Sequence, residues 1–290
     1  MTDELNGRTA LVTGATSGIG KITALELARM GARVLVHGRN PVKIEAVVAE
    51  LRATSAGQVE GIRADFASLA DVRALAAEVR TRTDRLHILV NNAGGAAARR
   101  RLSPDGIELT LATNHLAPFL LTNLLLDLFK ASAPARIVNV ASEAHRVGMF
   151  DFDDLQSERR YRSFKVYGHS KMQNILFTYA LARRLAGSGV TVTAVHPGAV
   201  DTGIWNAAQG MVRPIVRVMQ WFMISPERGA APLIRLASAT DVSDVTGVYF
   251  KRFKPARSAD PSNDVAVQER LWDVSARLTG LVQASSEDHR

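Results

Sequence analysis

Cysteine is absent from all 290 residues. That excludes disulfides, thiolate metal sites and a cysteine nucleophile. Long apolar runs are missing as well. The most hydrophobic stretch, Leu116 to Phe129, is broken by Pro118, Asn123 and Asp127 and is too short to span a bilayer. Met1 to Arg8 is polar with no apolar segment behind it, so a secretory signal is not supported. The expectation is a soluble, cytoplasmic protein. Acidic residues are in deficit: 28 Asp and Glu against 36 Lys and Arg give a formal charge of +8. That balance suits anionic ligands, nucleic acid or an anionic membrane surface. The basic residues are scattered, however, and the one dense cluster, Arg99-Arg100-Arg101, is too short for a nucleic-acid arm. A solvated basic surface is the preferred reading, with no nucleic-acid partner. His145, His169 and His196 have no metal-ligand spacing, so no metal is expected.

What is present is organised around Leu11-Val12-Thr13-Gly14-Ala15-Thr16-Ser17-Gly18-Ile19-Gly20. A short apolar run ends in a glycine-rich turn, and a helical pattern follows through Ile22, Leu25 and Met30. A bound pyrophosphate requires that order: glycines let the backbone approach the anion, and a helix N-terminus offers unpaired N–H groups and a positive dipole end. Strand patterns recur at Arg33–His37, Val59–Ala64, Leu86–Val90, Arg136–Val140 and Thr191–Val195, alternating with helical ones. Asn40-Pro41 and Ser68-x-x-Asp71 read as helix starts, the second as a capping box. Alternation of this kind predicts an α/β fold, a single Rossmann-type doubly wound parallel sheet with helices on both faces. No repeat, linker or charge break divides the chain, so residues 1–290 are expected to form a single NAD(P)-binding domain. A substrate loop or lid is expected over about 199–225 and a flexible tail over about 281–290.

An NAD enzyme usually places a carboxylate at the end of the second strand to hold the ribose hydroxyls. Here that neighbourhood is His37-Gly38-Arg39-Asn40. A guanidinium can bind a 2′-phosphate bidentately, so Arg39 argues for NADP(H) over NAD(H). Asp65, with Phe66 at the end of the third strand, either accepts from the adenine amino group or serves as a helix-start acid.

Tyr167 and Lys171 stand four apart on a helical pattern and so share a face. A nearby ammonium favours the phenolate of a tyrosine that is otherwise a poor base, so the pair suits proton exchange with an alcohol or carbonyl. Ser142, at the end of the fifth strand, can hold the substrate oxygen. Tyr161 and Lys165 have the same spacing but lie in a polar insert without an apolar face, so Tyr167 is preferred.

Together these motifs resemble the short-chain dehydrogenase/reductase family from about Gly7 to Gly247. Thr13 to Gly20 matches its TGxxxGxG turn, with Gly14, Thr16, Ser17, Gly18, Ile19 and Gly20 implied as cofactor contacts. Asn91-Asn92-Ala93-Gly94 matches its NNAG segment. Asn114, Ser142, Tyr167 and Lys171 fall where the family carries its catalytic tetrad, and Pro197, Gly198, Val200 and Thr202 where it contacts the nicotinamide end. The resemblance implies that Lys171 also binds the nicotinamide ribose and that Asn114 holds a water in a proton relay. It implies a homodimer or homotetramer through the helices carrying Asn114 and Tyr167. Ser142-Glu-Ala-His145, Tyr-x-His-Ser-Lys and Glu269-Arg-Leu-Trp-Asp-Val-Ser275 are similar to the retinol-dehydrogenase-like branch, whose members act on lipophilic alcohols and carbonyls.

Ile204 to Ile224 is rich in Met, Trp and Ile, which suits an apolar substrate of loose shape. It reads equally as a helix packed on the core or a second subunit, and peripheral membrane contact through Arg213 and Arg217 is a third reading. The leading expectation is an NADP(H)-dependent alcohol/carbonyl oxidoreductase; the alternative is a non-catalytic NADP(H)-binding regulator.

Overall fold

The computed structural model describes residues 4–55, 57–148, 150–198 and 224–281. Eight strands form one sheet in the order β3-β2-β1-β4-β5-β6-β7-β8. They are β1 (Thr9–Val12), β2 (Arg33–Gly38), β3 (Val59–Arg63), β4 (Ile88–Asn91), β5 (Ala135–Val140), β6 (Val190–His196), β7 (Val248–Lys251) and β8 (Lys254–Pro255). All neighbours are parallel except β7 and the two-residue β8, which pair antiparallel. β1 lies between β2 and β4, so the strand order reverses there. Ligands of open α/β sheets bind at such a switch point, outside the carboxyl ends of the strands.

The helices follow the apolar pattern onto both faces. On one face Ala10, Val12, Val34, Val36, Ile88 and Val90 pack against α1 (Gly18–Arg29), α2 (Pro41–Thr54) and α8 (Pro226–Ser238). On the other, Leu11, Leu35, Ile62, Leu89 and Ile137 pack against α3 (Leu69–Arg82), α5 (Ala117–Leu124), α7 (Ser163–Arg184) and the C-terminal α9 (Val265–Leu278). Strand residues alternate between these two cores, as the two-residue period of a pleated strand demands. No helix among the described residues is long and apolar enough to cross a membrane.

Local signals account for most of the boundaries. Asn40 caps α2 by accepting from Lys43 N–H at 3.1 Å, with Pro41 in the first turn. Ser68 caps α3 by accepting from Asp71 N–H at 3.2 Å, but the box is half formed. Asp71 accepts from Asp65 N–H at 3.0 Å, which ties α3 to the end of β3. The helical pattern expected over Gly106–Ala131 is segmented into α4 (Leu109–Leu111), a π-helical turn (Ala112–Leu116), α5 and α6 (Leu126–Ala131). The helix expected to open at Tyr167 starts a turn earlier, at Ser163. The polar insert before it contains two 3-10 turns, Glu143–Val147 and Phe152–Asp154.

Candidate active site

The glycine turn is held by the strand that follows it in space, not in sequence. Thr13 Oγ1 accepts from the N–H groups of Asn92 and Ala93, each at 3.0 Å. Asn92 Nδ2 donates back to the carbonyls of Thr13 and Gly14 at 2.9 and 3.1 Å. Gly14 adopts φ +64°, and a Cβ there would stand 2.8 Å from Ala93 Cα. At Gly20 a Cβ would meet Asn92 Nδ2 at 2.3 Å. Close packing therefore requires both glycines, and at Gly14 the turn geometry requires it as well. Ser17, the residue before α1, makes no side-chain cap, and the first turn of α1 contains no acid. Its amides and positive dipole end thus suit an anion.

Sequence reasoning missed His37 in this assembly. Its Nδ1 accepts from Gly14 N–H at 3.3 Å, so Nε2 carries the proton and donates to the Ala64 carbonyl at 3.1 Å. Phe66 stacks on the ring at 4.5 Å. Burial pushes His37 down to about 4, and buried His115 down to about 4 as well. The unfolded chain takes up both protons near pH 6.5, the native chain only near 4, so the unfolded state binds more protons between those values. Stability is therefore expected to fall as pH drops through that window, by up to about 3 kcal/mol for each histidine. Above pH 6.5 neither state is protonated and the penalty vanishes. Urea melts at pH 7.5, 6 and 5 test this; an unchanged midpoint at pH 5 would refute it.

Arg39 is exposed at the end of β2, and no ion pair among those described engages it. Gly38 pairs in register with Arg63, and a Cβ on Gly38 would meet Thr16 Cγ2 at 2.4 Å. Arg63 on β3 and Lys43 on α2 are exposed near the same strand end. These two further cations carried no motif, and only strand register brings Arg63 beside Arg39. Asn40 spends its side chain on the α2 cap. Asp65 Oδ1 accepts from Ala67 N–H at 3.0 Å in the turn ahead of α3, and buried Phe66 stacks on His37.

Tyr167 and Lys171 lie on α7, both buried, over the carboxyl end of β5. Ser142 stands close enough to the Tyr167 hydroxyl to favour the phenolate. Burial acts more strongly in the opposite direction and raises the phenol above its ordinary value. Lys171 Nζ donates to the Val140 carbonyl at 2.9 Å and lies 5.5 Å from the Tyr167 ring centroid. Burial brings Lys171 down to about 8. Ser142 precedes the Glu143–Val147 turn and accepts from Ala144 N–H at 3.2 Å, leaving its own proton to donate. Asn114 sits in the π-helical turn, fully buried. Its side chain accepts from Gly95 N–H at 2.9 Å and donates to the Gly95 carbonyl at 2.8 Å and to Ser170 Oγ at 3.0 Å. A Cβ on Gly94 would stand 3.0 Å from Asn114 Oδ1 and 3.7 Å from Lys171 Nζ, so Gly94 keeps this corner open.

The competing Tyr161 lies outside the helix. Its hydroxyl donates to the Ala97 carbonyl at 2.9 Å, as a strut for the loop after β4, while Lys165 is exposed. Pro197 and Gly198 follow β6, with Gly198 at φ +110° against Ile224. Val200, Thr202, nearly all of the expected 199–225 loop and all but Leu281 of the expected 281–290 tail lie outside the described residues. Among the described residues no group of His, Asp or Glu is placed to hold a metal ion.

A glycine turn at the switch point and a tyrosine–lysine helix at the carboxyl edge of one sheet are the arrangement of a Rossmann-type oxidoreductase. Residues 8–212 match the short chain dehydrogenase family model, and this chain belongs to that family. Retinol dehydrogenase 13 of Homo sapiens is 43% identical over 286 residues, covering 95% of this chain and 85% of that protein. The crystal structure of an uncharacterized Mycobacterium Paratuberculosis protein is similar at TM-score 0.78 and 32% identity, covering 97% of each chain. The Pseudomonas aeruginosa RhlG/NADP active-site complex is similar at TM-score 0.68 and 30% identity, over 86% of this chain and 96% of that one.

Proposed function

We propose that the protein is an NADP(H)-dependent oxidoreductase interconverting an alcohol and an aldehyde or ketone on a lipophilic substrate, with Tyr167 as general acid and base. The observation that carries this reading is the buried Tyr167 held near Ser142 and beside the Lys171 ammonium, 5.5 Å from its ring centroid. The residues present fit the cofactor: the amides of the Gly14–Gly20 turn suit its pyrophosphate, and Arg39, with Arg63 and Lys43 nearby, suits a 2′-phosphate. Asp65, Asn92, Ala93, Gly94, Pro197 and Gly198 line its remaining path in this reading. When bound, the nicotinamide supplies or takes the hydride.

The chain's own residues handle the oxygen and its proton. Ser142 directs its hydroxyl proton at the substrate oxygen and fixes its position. Tyr167, kept protonated by burial, donates to the carbonyl oxygen in reduction and takes the proton back in oxidation. Lys171 is charged at neutral pH and favours the phenolate as it forms. The lipophilic substrate rests on the likeness to a protein named retinol dehydrogenase 13. A homodimer or homotetramer through the helices of Asn114 and Tyr167 is part of this reading.

The test follows cofactor absorbance with NADPH or NADH and a panel of lipophilic aldehydes and ketones. Faster consumption of NADPH is expected. Preference for NADH would remove the cofactor assignment and leave the reaction class. Tight NADPH binding with no turnover across a wide panel would favour the regulatory alternative.

A further inference from the structure

The turn that carries Ser142 and the helix that carries Tyr167 meet with no side chain between them. Gly148 closes the Glu143–Val147 turn and lies against Gly168, the residue after Tyr167. A Cβ on Gly148 would stand 2.2 Å from the Gly168 carbonyl oxygen, and one on Gly168 would stand 2.6 Å from the Ala144 carbonyl oxygen. Neither glycine has a positive φ, so the constraint is space and not backbone conformation. A helix interior ordinarily disfavours glycine, and here it admits the turn to backbone contact.

The opposite side of the turn is fixed by three side chains that reach β7 and the segment after β8. Glu143 accepts from the Tyr249 hydroxyl at 2.7 Å and from Lys251 Nζ at 2.9 Å. Arg146 Nη2 donates to the Arg257 carbonyl at 2.8 Å. His145 is fully buried; its Nε2 accepts from Ala259 N–H at 3.1 Å. An amide can only donate, so the proton of the neutral ring sits on Nδ1, which donates to the Ser142 carbonyl at 2.7 Å.

We propose that Gly168 and His145 are positioning residues that together set the reach between the Ser142 hydroxyl and the Tyr167 hydroxyl. Gly168 admits the turn to contact distance, and His145 stops it from sliding by holding the backbone of Ser142 itself. This rests on the oxidoreductase reading above for its consequence, though not for its geometry.

The test compares G168A, S142A, the double variant, H145N and H145L. Turnover (kcat and KM) is read alongside NADPH Kd, thermal melts and the Tyr167 phenol titration, isolated by subtracting the ultraviolet signal of Y167F. G168A is expected to lower kcat about 10- to 100-fold with KM and NADPH Kd nearly unchanged, the scale of a mispositioned proton donor. In the S142A background the same change should cost less than about twofold, because no serine hydroxyl is left to misplace. The phenol titration should move upward in G168A and S142A alike and no further in the double variant. Asparagine keeps an N–H donor where Nδ1 stands, so H145N should retain most of the activity that H145L loses. That pair carries the test where G168A does not fold.

Equal losses from G168A with and without Ser142, or equal losses in H145N and H145L, would overturn the proposal. A parent protein without turnover, whose phenol titration still responds non-additively, would sink the oxidoreductase reading and uphold the positioning. An active parent with strictly additive variants would do the reverse.

Discussion

Tyr167→Phe is expected to lower kcat by about 10³-fold while NADPH binds within about twofold of the parent, as removal of a general acid–base group does. The substitution keeps the ring, so packing beneath the Lys171 ammonium is preserved. What disappears is the hydroxyl beside Ser142 and the proton that the proposed mechanism transfers to a bound carbonyl oxygen. The measurement is steady-state kinetics on the best carbonyl of the panel, with cofactor affinity from fluorescence titration. Retained turnover would remove Tyr167 from the chemistry. A loss of NADPH affinity of the same size would place its role in cofactor binding.

Arg39→Glu is expected to raise the NADPH Kd about 100-fold and to leave NADH nearly unaffected. A bidentate, charge-assisted guanidinium–phosphate pair contributes up to about 3 kcal/mol, and the new carboxylate adds repulsion against the same phosphate. Arg39 is exposed and in no described ion pair, so the folded state itself should be indifferent to the change. Titrations at low and high salt check the assignment, because the loss should shrink as the 2′-phosphate is screened. Equal losses for both cofactors would mean that Arg39 supports the strand end and does not read the phosphate.

The parts legible in the sequence were those whose cause is local. The Gly14–Gly20 turn, the apolar strand cores and the Asn40 cap each depend on residues within a few positions of one another. The first turn of α7 escaped notice because Phe164 and Lys165 are exposed there, so no apolar stripe marks it. β7 and β8 are too short, at four and two residues, to carry a period. His37 looked like any residue of a buried strand; its role exists only once Gly14 and Ala64 lie on either side of it. The Gly148–Gly168 contact is invisible for the same reason, since it joins positions twenty residues apart through a fold that must already be known. Arg63 becomes interesting only through its register with Gly38.

The C-terminal helix has a consequence for how this protein is made. α9 is the last helix of the described chain, and through Trp272 and Ser275 it covers Phe119, Phe177 and His115. A ribosome finishes the sheet, the serine turn and α7 before that cover emerges. During this interval an aromatic cluster stands open to chaperones, and His115 lacks its hydroxyl partner. A message cut short upstream of Val265 therefore yields a chain that has every residue of the proposed chemistry yet displays a sticky flank.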